Sequence, residues 1–271
     1  MAQQYPDYWN LALIQADLVL GEPERNRQRL EVLMEQAVSA EVKPDVVMLP
    51  EMWNTGYALD RIQELADPGA EAAAAWLGRF AREHGVHVVG GSVAEKGGDG
   101  RVRNTMLVFD RSGSLVSRYA KIHLFRLMQE EKHLAEGRET VTFELDGVRS
   151  GASICYDIRF PELSRTLALA GAKVWFVPAE WPHPRLHHWR TLLQARAIEN
   201  QMFVAACNRV GEDPGNRYCG HSMIIDPWGE ILAEGGEVES IVTGRIALPL
   251  VDEVRGRIPV FEDRRPDLYR L

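Results

Sequence analysis

Short apolar segments alternate with helical patterns along this chain, and this order constrains the fold more than any other feature of the sequence. Trp9–Ala16 and Asp45–Leu49 are short and mostly apolar, as expected of buried strands. Over Leu30–Val38, apolar residues recur at the i, i+3, i+4, i+7 and i+8 spacing of one helix face. A second helix, rich in alanine, is predicted over Ala70–His84. The alternation predicts an α/β fold.

Two predicted hairpins interrupt the alternation. Asn104–Asp110 pairs with Ser114–Ala120, and Val141–Leu145 pairs with Val148–Ile154 across the favoured turn pair Asp146–Gly147. Hairpins together with strand–helix units predict two sheets packed against each other, with helices on the outside.

Nothing in the sequence marks a boundary between domains. We find no repeat and no low-complexity linker, and the length suffices for one large core. We therefore expect a single domain over residues 1–271, with its core at about 8–258 and a charged, extended tail over 259–271.

Composition limits the classes of function. The 271 residues carry a net charge of −8, whereas a nucleic-acid surface usually needs a basic stripe. No apolar run approaches the about 20 residues that span a bilayer, and Met1–Trp9 lacks the features of a secretory signal. The three cysteines, at positions 155, 207 and 219, suggest neither a disulfide framework nor a thiolate metal site. We expect a cytoplasmic protein that binds neither nucleic acid nor membrane.

Three reactive residues follow predicted strands. Glu51, Lys121 and Cys155 come directly after apolar or strand-like runs, at the ends where α/β sheets collect ligands. A thiol is mostly protonated near neutral pH and needs a base, which Glu51 can supply. The thiolate can attack an amide carbonyl, and Lys121 can stabilise the oxyanion. The sequence therefore predicts a cysteine-dependent amide hydrolase with Cys155 as nucleophile.

Three other interpretations compete with this one. His183, His187 and His188 lie close in sequence and could bind zinc, although Pro184 argues against one helix through them. His123 could replace Glu51 as the base of a cysteine–histidine pair. A binding or scaffold module without catalysis is a third alternative, which the intact set of reactive residues disfavours.

The flanks of the reactive residues resemble the nitrilase, or carbon–nitrogen hydrolase, superfamily. The matching segments occur in the family's order and cover nearly the whole chain. They are Leu49–Met52, Asn104–Thr105, Tyr119–Phe125, Ser153–Glu162, His188–Asn200 and Gly220–Gly229. The resemblance implies a four-layer αββα sandwich, a homodimer that packs helices against helices, and no metal or organic cofactor.

The same resemblance implies further site residues. A second glutamate supports the lysine in the family, and the candidates here are Glu130, Glu131 and Glu136, of which Glu130 matches best. The implied substrate-binding residues are Tyr57, Tyr156, whose backbone N–H is the expected oxyanion donor, and Trp181. Arg185 is a possible partner for a substrate carboxylate.

The nucleophile segment also implies a branch. Cys155-Tyr156-Asp157 followed by Arg159 to Glu162 looks like the omega-amidase and deaminated-glutathione amidase branches. The implied reaction uses water to convert a small carboxylate-bearing amide, 2-oxoglutaramate or 2-oxosuccinamate, into the acid and ammonia. Deaminated glutathione or a carbamoyl amide is the alternative substrate.

Overall fold

The computed structural model describes residues 5–269, so residues 1–4 and 270–271 of the expected domain lie outside it. Its strands are β1 Tyr8–Gln15, β2 Val46–Met48, β3 Asp67–Pro68, β4 His87–Lys96, β5 Val102–Phe109, β6 Leu115–Ala120, β7 Thr142–Leu145, β8 Val148–Ala152, β9 Val174–Ala179, β10 Phe203–Asn208, β11 Glu212–Asp213, β12 Asn216–Arg217, β13 Met223–Ile225, β14 Ile231–Glu234 and β15 Ser240–Ala247. Its α-helices are α1 Pro23–Val38, α2 Ile62–Leu65, α3 Glu71–His84, α4 Pro161–Leu169, α5 Leu186–Asn200 and α6 Leu250–Arg257.

The strands form two large sheets and one short hairpin. The first sheet has the order β15-β1-β2-β4-β5-β6, with β3 beside β4, and the second has the order β14-β13-β10-β9-β8-β7. Each has a parallel centre, β1-β2-β4 in the first sheet and β8-β9-β10 in the second. The two remaining strands, β11 and β12, pair with each other. Both predicted hairpins, β5–β6 and β7–β8, are present.

Four layers follow from the way these elements bury their apolar faces. Between the sheets, Trp9 and Leu13 of the first share one core with Phe176 of the second. Helices α1 and α3 cover the outer face of the first sheet through side chains such as Met34 and Trp76. Helices α4 and α5 cover the second sheet from the other side. This αββα arrangement confirms the predicted four-layer sandwich, and its doubly covered strands explain their almost continuous apolar sequences.

The C-terminal segment differs from the prediction of an extended tail. Residues 259–269 form turns, in one of which the amide of Glu262 donates to the carbonyl of Pro259. Phe261 packs against the core, and the guanidinium of Arg255 lies 5.0 Å from the centre of its ring. The packing of this one aromatic side chain holds the segment against the core, although its charged composition predicted an extended tail. Among residues 5–269, no helix combines the length and apolarity needed to cross a membrane.

Candidate active site

The three predicted catalytic residues meet at one edge of the sandwich. Glu51 follows β2, Lys121 follows β6, and Cys155 follows β8 of the opposite sheet. Lys121 Nζ lies 3.0 Å from Glu51 Oε1. Cys155 lies close enough that both charges shift the pKa of its thiol. The structure therefore brings together residues that lie up to about a hundred positions apart in the sequence.

Glu51 is held by hydrogen bonds to both of its carboxylate oxygens. Oε1 accepts from Lys121 Nζ, from the Tyr57 hydroxyl at 2.7 Å and from Asn104 Nδ2 at 2.8 Å. Oε2 accepts from the backbone amide of Glu180 at 2.7 Å. Glu51 is fully buried, so these donors fix an acidic group in one orientation away from bulk water.

Strand β4 packs so closely against the backbone before Glu51 that a side chain larger than that of glycine does not fit at the contact. Gly91 of β4 has a φ of +57°, and a Cβ there would lie 2.0 Å from the carbonyl oxygen of Pro50. The Ser92 hydroxyl accepts the amide of Met52 at 2.9 Å. Glycine at position 91 therefore allows β4 to approach and fix the segment that carries Glu51.

Lys121 is a buried ammonium between two carboxylates. Its Nζ donates to Glu51 and to Glu130 Oε1, the latter at 2.8 Å, and lies 3.1 Å from the Tyr57 hydroxyl. Burial by itself lowers the pKa of Lys121, but the negative charges of Glu130 and Glu51 outweigh burial and raise that pKa above its ordinary value. Lys121 is therefore a permanent cation.

The loop after Lys121 returns to the end of β6. The amide of Gly137 donates to the carbonyl of Lys121 at 2.7 Å, and a Cβ at position 137 would lie 2.0 Å from the carbonyl oxygen of Ala120. Within this loop, Arg126–Met128 and Glu130–Lys132 form single 3₁₀ turns. The second turn carries Glu130 inward.

Of the three candidates for the supporting glutamate, only Glu130 reaches the site. It is fully buried, and its Oε2 accepts the amide of Phe125 at 3.0 Å while its Oε1 contacts Lys121. Glu131 and Glu136 are exposed. The position is the one predicted for the supporting residue, and the supporting role itself stays a prediction.

Cys155 lies at the start of a 3₁₀ turn in a strained conformation. Its φ of 45° is in the left-handed region, which costs a non-glycine residue about 1–3 kcal/mol. Burial raises the pKa of the thiol, as does the charge of Glu51, while Lys121 lowers it, and the net shift is well upward. The thiol is therefore protonated at neutral pH, and forming the thiolate requires a base beside it.

Asp157 holds this turn in place through hydrogen bonds. It was not predicted from the sequence as a site residue. Its carboxylate accepts the amide of Ile154 at 2.9 Å and the hydroxyl of Tyr119 at 2.6 Å. It also lies 2.8 Å from His123 Nδ1, and the His123 ring stacks on Phe160 with 3.6 Å between ring centres. His123 is thus directed at Asp157, which gives no support to its alternative role as base for the cysteine.

Cys155 opens onto a narrow cavity between the two sheets. The predicted substrate-binding residues all line it, and Tyr57 also belongs to the hydrogen-bonded group around Lys121. The indole N–H of Trp181 donates to the carbonyl of Arg185 at 2.8 Å, which holds one wall in place. Besides Cys155, Trp181 and Arg185, the residues that line the cavity are Tyr57, Phe125, Met128, Glu130, Tyr156, Arg159, Glu180 and Pro182.

Two charged lining residues, Arg159 and Glu180, were not predicted as site residues. Arg159 lies in a segment that carries the family resemblance, and the positions of both residues held a usable signal. Glu180 follows the buried strand β9, just as Glu51 nearly follows β2, and Arg159 closes the turn that Cys155 begins. The same rule that selected Glu51 could have selected Glu180.

The histidines considered for zinc do not form a ligand set. His183 Nε2 lies 3.4 Å from Glu237 Oε1, and His187 and His188 are exposed with ring centres 6.3 Å apart. In the part of the chain that the structure describes, no three potential metal ligands of the His, Cys, Asp or Glu type cluster together.

The other two cysteines are buried free thiols. Cys207 Sγ lies 3.3 Å from the carbonyl oxygen of Ile14, and Cys219 Sγ lies 3.3 Å from that of Trp181. Burial raises the pKa of Cys219 to about 12 and that of Cys207 above its ordinary range.

Known proteins resemble this chain over nearly its whole length. The carbon-nitrogen hydrolase family model matches residues 10–256. The 2-oxoglutaramate amidase of Bacillus subtilis (strain 168) is 51% identical over 262 residues, which cover 96% of this chain and 99% of that protein. Omega-amidase NIT2 of Homo sapiens is 34% identical over 274 residues, covering 97% of each.

A solved structure extends the agreement to the fold. Nit3 of Saccharomyces cerevisiae, a member of branch 10 of the nitrilase superfamily, superposes with a TM-score of 0.90 at 28% identity, over 96% of this chain and 98% of that one. Because the family model spans most of the sequence and these relatives match it from end to end, the chain belongs to the carbon-nitrogen hydrolase family.

Proposed function

We propose that this protein is an omega-amidase, which hydrolyses a small carboxylate-bearing amide to the acid and ammonia through a cysteine thioester. The preferred substrate is 2-oxoglutaramate, with 2-oxosuccinamate as its shorter analogue. The observation that carries the proposal is a cavity lined by the Cys155 thiol and two arginines, with the buried ion pair of Lys121 and Glu51 close to the thiol.

The chemical steps follow from the positions of the charged groups. Glu51 removes the proton of Cys155, and the thiolate attacks the amide carbonyl. Lys121 and the backbone N–H of Tyr156 stabilise the oxyanion, since the first amides of a helical turn have no acceptor within the turn. Glu51 then protonates the leaving ammonia and activates the water that hydrolyses the thioester. Glu130 supports Lys121 by holding its ammonium in place.

The substrate carboxylate is proposed to bind Arg159 and Arg185. The Arg159 guanidinium lies 4.7 Å from the centre of the Trp181 ring, and neither arginine has a carboxylate within 4.0 Å among residues 5–269. Burial lowers the pKa of Arg159, and the positive charge of Arg185 lowers it further. Two neighbouring cations in a partly buried cavity favour an anion between them.

The choice of substrate is also supported by the relatives. The Bacillus subtilis protein at 51% identity is a 2-oxoglutaramate amidase. Deaminated glutathione and carbamoyl amides are the alternative substrates. A catalytically silent scaffold is the alternative outside enzymes, and the hydrogen-bonded set around Glu51 argues against it.

We also propose a homodimer in the cytoplasm. Leu169 of α4 and Ile198 of α5 leave 46% and 53% of their surface exposed on the outer helical layer, which suits packing of helices against helices. A catalytic thiol must stay reduced, and a reducing compartment maintains it. Sedimentation of wild type beside Ile198→Asp tests the dimer, which predicts a twofold lower mass for the variant.

The function is tested by the formation of 2-oxoglutarate from 2-oxoglutaramate, with release of ammonia, and from deaminated glutathione, with release of a peptide amine, using wild type and Cys155→Ala. We expect wild type to prefer 2-oxoglutaramate and the variant to fold without turnover, because the nucleophile is missing. Preference for deaminated glutathione would select the alternative amidase. A folded wild type inert on both substrates would overturn the proposed substrate class.

A further inference from the structure

Glu180 has a carboxylate oxygen that no residue of the chain satisfies. Its side chain is buried and lines the cavity that contains Cys155. Oε2 accepts from Arg209 Nη1 at 3.1 Å. Oε1 is buried as well, and no donor within residues 5–269 reaches it. A buried polar atom without a partner costs free energy, so its persistence next to a reactive group suggests a ligand.

Glu180 lies on the side of the cavity where we expect the leaving nitrogen of the substrate. Its backbone amide donates to Glu51 Oε2 at 2.7 Å, so the two glutamates are neighbours across the cavity wall. In the proposed mechanism Glu51 gives its proton to the amide nitrogen of the substrate. The nitrogen must therefore lie on the same side of the cavity as Glu180.

A primary amide has the donors that this oxygen lacks. Its nitrogen carries two N–H groups, whereas the corresponding ester has an oxygen without a proton at the same place. Burial raises the pKa of Glu180 to about 8, while Arg209 opposes that shift. An N–H donor at Oε1 would favour the ionised carboxylate and offset the effect of burial.

We propose that Glu180 is a specificity-determining residue whose Oε1 accepts a hydrogen bond from the amide nitrogen of the substrate. Through this contact the site selects primary carboxamides over esters of the same acid. The inference rests on the proposed function, since it assigns a contact to that substrate. It adds a substrate contact to the site without changing the roles of Glu51, Lys121 and Cys155.

The test is the kcat/KM of Glu180→Gln for 2-oxoglutaramate and for the ω-methyl ester of 2-oxoglutarate. The ester forms the same thioester and releases methanol, which takes its proton from Glu51. In the variant, the amide oxygen of the glutamine must face the Arg209 donor, which turns its NH₂ toward the cavity. We expect kcat/KM for the amide to fall about 10- to 100-fold, while that for the ester stays within a few-fold of wild type.

Equal losses on both substrates would overturn the inference, and so would unchanged kinetics on both. Glu212→Gln, at an exposed glutamate, is the matched control and should behave as wild type. Binding of both compounds to Cys155→Ala, with and without Glu180→Gln, gives the same comparison without turnover. A wild type that releases no ammonia from 2-oxoglutaramate refutes the proposed function rather than this contact.

A second variant covers the case in which Glu180→Gln fails to fold. Glu180→Leu combined with Arg209→Met replaces the buried ion pair by apolar side chains, an exchange that folded proteins often tolerate. It removes the acceptor together with its buried cation, and Asp213 keeps the Tyr218 hydroxyl as a hydrogen-bond donor. We expect the same fall in the ratio of amide to ester kcat/KM, and a ratio equal to that of wild type would contradict the proposal.

Discussion

Two buried clusters of charge stand side by side in this molecule and have nearly the same composition. Each contains one cation, two carboxylates and one tyrosine hydroxyl, and the amide of Glu180 joins them by donating to Glu51. The Lys121 cluster consists of Glu51, Tyr57, Lys121 and Glu130. The Arg209 cluster consists of Glu180, Arg209, Asp213 and Tyr218.

The clusters differ in what the cation contacts. Lys121 directs its ammonium at side chains next to the nucleophile, where its charge lowers the pKa of the Cys155 thiol. The guanidinium of Arg209 donates to the backbone carbonyls of Leu18, at 2.6 Å, and Val210, at 3.2 Å, and to the carboxylate of Glu180. A compact ammonium suits a developing charge, whereas the planar fork of arginine suits several fixed acceptors. We therefore expect the first cluster to govern turnover and the second, apart from the substrate contact proposed for Glu180, to govern stability.

The largest effect is expected for Glu51→Gln. Glutamine preserves the shape and cannot accept the thiol proton, so kcat for 2-oxoglutaramate should fall about 10²- to 10⁴-fold. The NH₂ group of the glutamine must face one of the buried donors that Glu51 accepts from, so the melting temperature should also fall by several degrees. Glu131→Gln, at the exposed neighbour of Glu130, is the control and should retain full activity. A normal rate in Glu51→Gln would remove this residue from the mechanism.

Lys121→Met is expected to reduce kcat about 10²- to 10³-fold, because the oxyanion loses its cation. Losing the ammonium also leaves two buried carboxylates without their cation, which lowers the free energy of unfolding. Steady-state kinetics combined with thermal melting separate the two effects. The exposed Lys132→Met serves as control, and an unaffected kcat in Lys121→Met would show that its charge does not act on the chemical step.

Arg209→Met tests the opposite assignment. The change leaves Glu180 buried without its cation, which should lower the free energy of unfolding by about 3–5 kcal/mol. The effect on kcat should be smaller than in Lys121→Met. Chemical denaturation measures the first quantity, with the surface pair variant Arg217→Met as a control that loses at most about 1 kcal/mol. An equally small loss in Arg209→Met would contradict a stabilising role.

The sequence alone could predict the centre of the Lys121 cluster. Glu51, Lys121 and Cys155 each follow a strand-like run, and a sheet edge collects such residues whatever the length of the connecting loops. The choice of Glu130 over Glu131 depended on the family resemblance, since only the turn of the loop determines which of two adjacent glutamates faces inward. That turn is irregular and leaves no periodic pattern.

The Arg209 cluster could be predicted only in part. Glu180 follows a strand, as Glu51 nearly does, but arginine is mostly exposed, so a solvated position was the better expectation for Arg209. Their burial depends on contacts between segments that no local pattern relates, such as Arg209 with Leu18. The packing of Phe261 under the C-terminal turns was missed in the same way, because one long-range contact decided it.

The two tyrosines give the smallest and most direct comparison. Burial and then the charges of Glu130 and Glu51 raise the pKa of Tyr57, and burial likewise raises that of Tyr218. Both hydroxyls therefore stay protonated and act as donors. Tyr57 lies 2.7 Å from Glu51 Oε1, and Tyr218 donates to Asp213 Oδ2 at 2.7 Å.

Tyr218→Phe removes the hydrogen bond to Asp213, worth about 1 kcal/mol. Tyr57→Phe removes the contacts of one hydroxyl with Glu51, Glu130 and Lys121. In Tyr57→Phe the loss changes the orientation and basicity of the group that takes the thiol proton, so kcat should fall about fivefold. In Tyr218→Phe it should appear as about 1 kcal/mol of unfolding free energy with kcat nearly unchanged. Each variant is the control for the other in paired kinetics and denaturation. If both variants lost stability without a loss of kcat, Tyr57 would be a structural residue. Lys121 and Glu51 would then be the only residues that distinguish the first cluster from the second in function.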